Sequence, residues 1–196
     1  LSVQTVKNSS GTVVQKTGMM HCLVKVNRIE ATSTANALDV ALGVMMLDAQ
    51  MITHVTGSGV SISDAVTGSE IRGFVNHLSG TGTGDAFNIS GHANNKISLV
   101  VADSRDNGSG TGINLDSGML NLTISNFNNT TGGDIAAGTT LNMLVGELNG
   151  KTFTGTGTQN ITEAGAASSA GVVDSSGWKT GGILSVGTGS NDFTIS

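Results

Sequence analysis

The chain has 196 residues, 37% of them hydrophobic and only 12% charged, with a formal net charge of −5. That length suffices for one domain with its own core, the charge is too low for a solvated polyelectrolyte tail, and its sign excludes the basic surface a nucleic-acid binder needs. No apolar run reaches the length of a membrane-spanning helix, and 29 glycines with no proline and no tyrosine favour many short strands joined by tight turns.

Residues 1–18 differ from the rest. SVQTVK and TVVQK flank NSSG, a pattern that predicts an amino-terminal β-hairpin or arm. Cys22 follows as the chain's one cysteine, which excludes an intramolecular disulfide and a cysteine-based metal site and reads as a buried thiol.

From residue 19 to 164 the sequence repeats itself with an imperfect period. CLVKVNRI (22–29), MMLDAQMI (45–52), IRGFVNHL (71–78), ISLVVADS (97–104), LNLTISNF (120–127) and LNMLVGEL (141–148) align into apolar columns. Positions one, three and five alternate as a strand with one buried face must. The step from five to eight breaks that alternation and predicts a bend. A second, shorter set lies between them: ALDVA (37–41), VSIS (60–63), FNIS (87–90), INLD (113–116), GDIA (133–136) and NIT (160–162), with an inward column of Val40, Ile62, Ile89, Leu115, Ile135 and Ile161. One long and one short strand per unit of roughly 20–27 residues is the signature of a β-solenoid, in which one coil cannot bury its own apolar face and stacking supplies the core. The Gly, Ser, Thr and Asn stretches between strands become corners of variable length. Residues 33–52, STANALDVALGVMMLDAQMI, also admit an amphipathic helix with a Ser or Thr cap. Residues 165–196 read as a loop around Trp178 followed by a partial coil or cap, ILSV (183–186) and DFTIS (192–196).

The reading is therefore an all-β, right-handed parallel β-helix of about six to seven coils over 19–164, preceded by the hairpin and closed by the 165–196 segment. On the long strands, positions two and four point away from the core. Leu23, Met46, Phe74, Val100 and Leu144 occupy such positions, and an exposed apolar stripe marks an interface. The expected assembly is a homotrimer of parallel rods. Asn121 and Asn142 interrupt the stripe.

Coils of this size with alternating long and short strands resemble the shafts of phage tailspikes and related virion spike or decoration proteins; pectin-degrading enzymes share the architecture. The resemblance covers roughly residues 19–164 and rests on the coil pattern. It implies a non-enzymatic structural protein of a virion surface or extracellular setting, trimeric and rod-like, serving attachment or capsid decoration, with other virion or surface proteins and carbohydrate as partner classes. A bacterial surface adhesin fragment shares the fold. The rod is short beside receptor-degrading spikes of this kind, which weighs against a complete polysaccharide-cleaving groove.

The enzymatic alternative is a polysaccharide lyase or glycosidase built on the same solenoid. Its candidates are Asp103, Arg105 and Glu147, with His77, Asn76 and Asp106 nearby. The register puts His77, Asp103 and Glu147 at one strand position, and two coil steps of about 4.8 Å separate the carboxylates of Asp103 and Glu147 by on the order of 10 Å, the upper end of the range for inverting glycosidases. Against this, Asp, Arg and Asn before a Gly-rich turn ordinarily fix or solvate a corner. The sequence has no GxSxG, HExxH, CxxC or P-loop element. Its four histidines, His21, His54, His77 and His92, lack metal-ligand spacing, so neither a cofactor nor a metal is expected.

Overall fold

The computed structural model describes residues 2–163 and three short strands beyond them, Val172–Val173, Leu184–Val186 and Thr194–Ile195. Every regular element among the described residues is a strand. The expected loop around Trp178 lies outside them.

The chain alternates between two parallel sheets of nine strands each. The long sheet takes β1 (Ser2–Asn8), β3 (Cys22–Ala31), β5 (Val44–His54), β7 (Glu70–Gly80), β9 (Lys96–Asp106), β11 (Met119–Asn129), β13 (Thr140–Glu147), β15 (Thr158–Glu163) and β17 (Leu184–Val186). The short sheet takes β2 (Val14–Lys16), β4 (Leu38–Val40), β6 (Val60–Ile62), β8 (Phe87–Ile89), β10 (Ile113–Leu115), β12 (Gly133–Ile135), β14 (Thr152–Thr154), β16 (Val172–Val173) and β18 (Thr194–Ile195). Each strand pairs in parallel with the strand two elements later, so every pass adds one rung to a solenoid of about seven coils. The two expected terminal segments, ILSV and DFTIS, supply β17 and β18.

The register follows the sequence columns. Cys22, Met45, Ile71, Ile97, Leu120 and Leu141 are stacked partners, as are Val26, Ala49, Val75, Val101, Ile124 and Val145. These inward side chains are buried, apart from the half-buried Cys22 at the edge of the core. After the fifth position the pairing skips a residue: Val26 pairs with Ala49 and Arg28 with Met51, passing over Asn27 and Gln50. That is the expected bend. It shifts the inward phase by one, so Ile29, Ile52, Leu78 and Phe127 return to the core. Burying each such aliphatic or aromatic side chain contributes roughly 1.5–3 kcal/mol, and only stacking coils provides the cover.

Three expectations change. The segment 1–18 forms the first coil and not a hairpin: β1 pairs with β3 in the long sheet, while β2 pairs with β4 in the short one. NSSG makes a corner, with the Asn8 side chain accepting from the Ser9 amide at 2.9 Å and Gly11 in the left-handed region at φ 69°. Lys16 then ends the column Val40, Ile62, Ile89, Leu115, Ile135, and its buried ammonium donates to the carbonyls of Gly18 and Leu42. Second, the segment NIT (160–162) belongs to the long sheet, where Ile161 pairs with Met143. The short strand of that coil is Thr152–Thr154, read from the sequence as turn, and its buried Phe153 stacks on Phe127 with ring centroids 5.8 Å apart. Third, the rival helix over 33–52 gives way to β4 and β5.

One run of corners is closely packed from coil to coil. A Cβ on Gly57 would lie 2.1 Å from the Ala35 carbonyl oxygen, one on Gly84 2.1 Å from that of Gly57, and one on Gly110 2.1 Å from that of Gly84. At these three successive corners the glycine Cα rests on the carbonyl of the coil below, and no side chain fits between. We expect Gly110→Ala to cost about 1–3 kcal/mol, the usual penalty for overpacking against atoms that cannot yield. Gly18→Ala, with nothing within 4 Å of the added atom, should stay within about 0.5 kcal/mol. Urea denaturation of the two variants checks this, and equal midpoints would refute the contact.

Candidate functional site: the outer face of the long sheet

Outward residues of the long strands form columns as regular as the inward ones. At the second position the column runs Leu23, Met46, Arg72, Ser98, Asn121, Asn142, Asn160; at the fourth it runs Lys25, Asp48, Phe74, Val100, Thr123, Leu144, Thr162. The five apolar residues expected to face outward do so: Leu23, Met46, Phe74, Val100 and Leu144 are between 37% and 59% exposed. They form a stripe that starts in the second column and passes to the fourth at Phe74.

Charge and amide groups divide this face into two halves. The amino-terminal coils carry ion pairs: Lys7–Glu30 at 2.8 Å and Lys25–Asp48 at 3.4 Å across rungs, and Arg72–Glu70 at 2.6 Å within β7. The hydrogen bond from Lys7, with the nearby charges of Lys7 and Arg28, holds the Glu30 carboxyl below its ordinary value against the opposing effect of desolvation. The carboxy-terminal coils carry an amide ladder. Asn160 donates to Asn142 at 2.8 Å, Asn142 to Asn121 at 2.8 Å, and Asn121 to the Ser98 hydroxyl at 3.1 Å. Between this ladder and the stripe runs a shallow groove of about 530 Å³, lined by Ser98, Val100, Asn121, Thr123, Leu144 and Thr162 among others and by no ionisable side chain. Sequence reading placed Asn121 and Asn142 only as gaps in the stripe. The signal for the ladder was present in three successive asparagines at one column position.

Two of the catalytic candidates, Asp103 and Glu147, occupy the seventh position, beyond the bend, and Arg105 lies two residues past Asp103. His77, Asp103, Asn126 and Glu147 are stacked partners there, as the sequence register requires. Asp103 Oδ2 is ion-paired with Arg105 Nε at 2.8 Å and lies 3.6 Å from His77 Nδ1, and Oδ1 accepts from Asn126 Nδ2 at 3.0 Å. Asn126 in turn accepts from Asn149 at 2.8 Å. Asp103, Arg105 and His77 are therefore brought together, whereas Asn126 stands between Asp103 and Glu147. Both oxygens of Asp103 are engaged with cationic or amide donors, an arrangement suited to fixing the end of the bend. Among the described residues no group of three or more His, Cys, Asp or Glu side chains is placed to hold a metal ion.

Comparison with known proteins finds no matching family model, no matching curated protein and no matching solved structure. The reading of this face rests on its own geometry.

Because Arg105 and His77 are about half exposed, their pairing with Asp103 contributes little in water. Asp103→Asn, which keeps the shape and the Asn126 contact, should cost about 1 kcal/mol or less in urea denaturation. A loss of several kcal/mol would show that the cluster holds the bend together far more strongly than its exposure implies.

Proposed function

We propose that this chain is a non-enzymatic structural protein of a virion surface, a spike, decoration or tail-associated protein, that assembles as a trimer of parallel rods and serves attachment or capsid decoration. The observation that carries the reading is the stripe of Met46, Phe74, Val100 and Leu144, with Leu23 at its lower end, on an otherwise polar outer face. Large apolar side chains gathered on one side of a rod mark an interaction surface. Three rods that meet along one face bury that stripe on a common axis, and closed cyclic symmetry leaves no free copy of the patch. The ion pairs of the amino-terminal coils are already made within one chain, so they suit the rim of such an interface and not its centre.

The same features support attachment over turnover. A solenoid projects its corners sideways, and corners of variable length offer contacts to a carbohydrate or a partner protein without disturbing the core. The polysaccharide lyase or glycosidase alternative has Asp103, Arg105 and Glu147 as its machinery, yet Asp103 is hydrogen-bonded by Asn126 on one oxygen and ion-paired with Arg105 on the other, and Asn126 separates the two carboxylates. Fold alone favours neither class.

Light scattering at several concentrations tests the proposal. The expected mass is near three times the 19.7 kDa of one chain, and Phe74→Asp, which places a carboxylate in the centre of the stripe, should yield monomers with an unchanged far-ultraviolet spectrum. A wild-type monomer at every concentration, or a Phe74→Asp variant that stays trimeric, overturns the assembly.

A further inference from the structure

One inward column is polar where its neighbours are apolar. At the end of the long strands, His54, Gly80, Asp106 and Asn129 occupy successive rungs of the same column. The three side chains are 1%, 1% and 0% exposed respectively. His54 Nδ1 lies 3.1 Å from the carbonyl oxygen of Gly57. A carbonyl only accepts, so Nδ1 carries the hydrogen and Nε2 of the neutral ring presents a lone pair. That Nε2 has no hydrogen-bond partner among the described residues, and neither has Asp106 Oδ2. Asp106 Oδ1 accepts from the Gly108 amide at 2.9 Å.

The His54 ring and the Asp106 carboxyl group flank one place, and Asn129 Nδ2 on the rung beyond Asp106 is unmatched too. A Cβ on Gly80 would lie 2.6 Å from His54 Nε2 and 2.7 Å from Asp106 Cγ. The missing side chain of Gly80 is what lets an imidazole from the rung below and a carboxyl from the rung above reach toward each other. As neutral imidazole and carboxylate they would be two buried acceptors on either side of Gly80, with an uncompensated buried charge.

We propose that His54 and Asp106 hold one proton in common across Gly80, so that the pair is net neutral in the folded protein through neutral pH. Its main form is imidazole with carboxylic acid: Asp106 Oδ2 carries the proton and serves His54 Nε2 through one water molecule, which accepts from Oδ2 and donates to Nε2. The other form moves the same proton to Nε2, giving imidazolium with carboxylate, and changes no net charge. Zero or two protons on the pair leave a net charge buried, which is the costlier state.

The surroundings agree. Burial holds the His54 imidazole down at about 4, against the Gly57 carbonyl, which works to raise it. Burial raises the Asp106 carboxyl against the lowering effect of the Gly108 amide, and the Asp85 charge adds to the rise. The other charged groups near this corner are engaged elsewhere: Arg28 and Glu30, which line the shallow groove outside His54, pair with each other, Glu30 also with Lys7, and Arg105 pairs with Asp103. The unfolded chain, with ordinary values of 6.5 for histidine and 3.8 for aspartate, has released this proton by pH 7. The folded state then binds one proton more than the unfolded state, and linkage makes this pair's contribution to stability fall as pH rises from 6.5 toward the pair's own midpoint.

The test is nuclear magnetic resonance of the wild-type chain, following the Asp106 carboxyl carbon and both His54 ring nitrogens from pH 4 to pH 9. The expected result is a protonated Asp106 carboxyl at pH 7, hydrogen on His54 Nδ1, and Asp106 and Nε2 signals that move together with one midpoint above pH 7. An ionised Asp106 carboxylate beside a neutral His54 at pH 7, or two independent titrations, overturns the proposal.

Discussion

The structure depends on one constraint, the in-register hydrogen bonding of each coil to the next. Parallel rungs place each residue beside its counterpart one coil away, at a spacing of about 4.8 Å. Every inward position therefore becomes a column, and a column is stable only if its members are mutually compatible. Apolar columns give a continuous core. Glycine at the corners lets one carbonyl approach the next coil's Cα. Asparagine columns give ladders, because an amide can donate upward and accept from below. The buried pair of His54 and Asp106 exists for the same reason: the register alone brings them to either side of Gly80.

That constraint also orders the outer face. The apolar stripe, the cross-rung ion pairs and the amide ladder are columns of the same sheet, differing only in residue type. A single rigid platform thus carries apolar, charged and neutral polar zones in fixed relation along the rod. Among the described residues, Asn126 stands between the carboxylates of Asp103 and Glu147 on that surface.

Much of this was legible from sequence, and the reason is physical. The long strands combine period-two alternation with a repeat, and two independent periodicities fix both strand and register. Leu23, Met46, Phe74, Val100 and Leu144 could be placed outward for that reason. The NSSG segment could not be resolved locally: two alternating strands around a turn fit a hairpin or a corner equally, and the decision lies in the pairing of Val6 with Ile29 and Val14 with Leu38, far along the chain. NIT was assigned to the wrong sheet because one coil is short, with Asn142 and Asn160 only 18 residues apart. His54 and Asp106 stayed hidden because the bend carries the inward phase to a tenth position, past the point where the apolar columns end, where a histidine and an aspartate look like the start of a turn.

The most direct test of the account is the register itself. On perdeuterated protein, amide-to-amide nuclear Overhauser contacts should connect Val100 with Thr123 and Thr123 with Leu144, within a network whose partners lie 21 to 26 residues apart along most of the rod. Contacts between residues closer in sequence, in the mirrored order of antiparallel hairpins, would contradict the stacked coils and with them the stripe, the ladder and the buried pair.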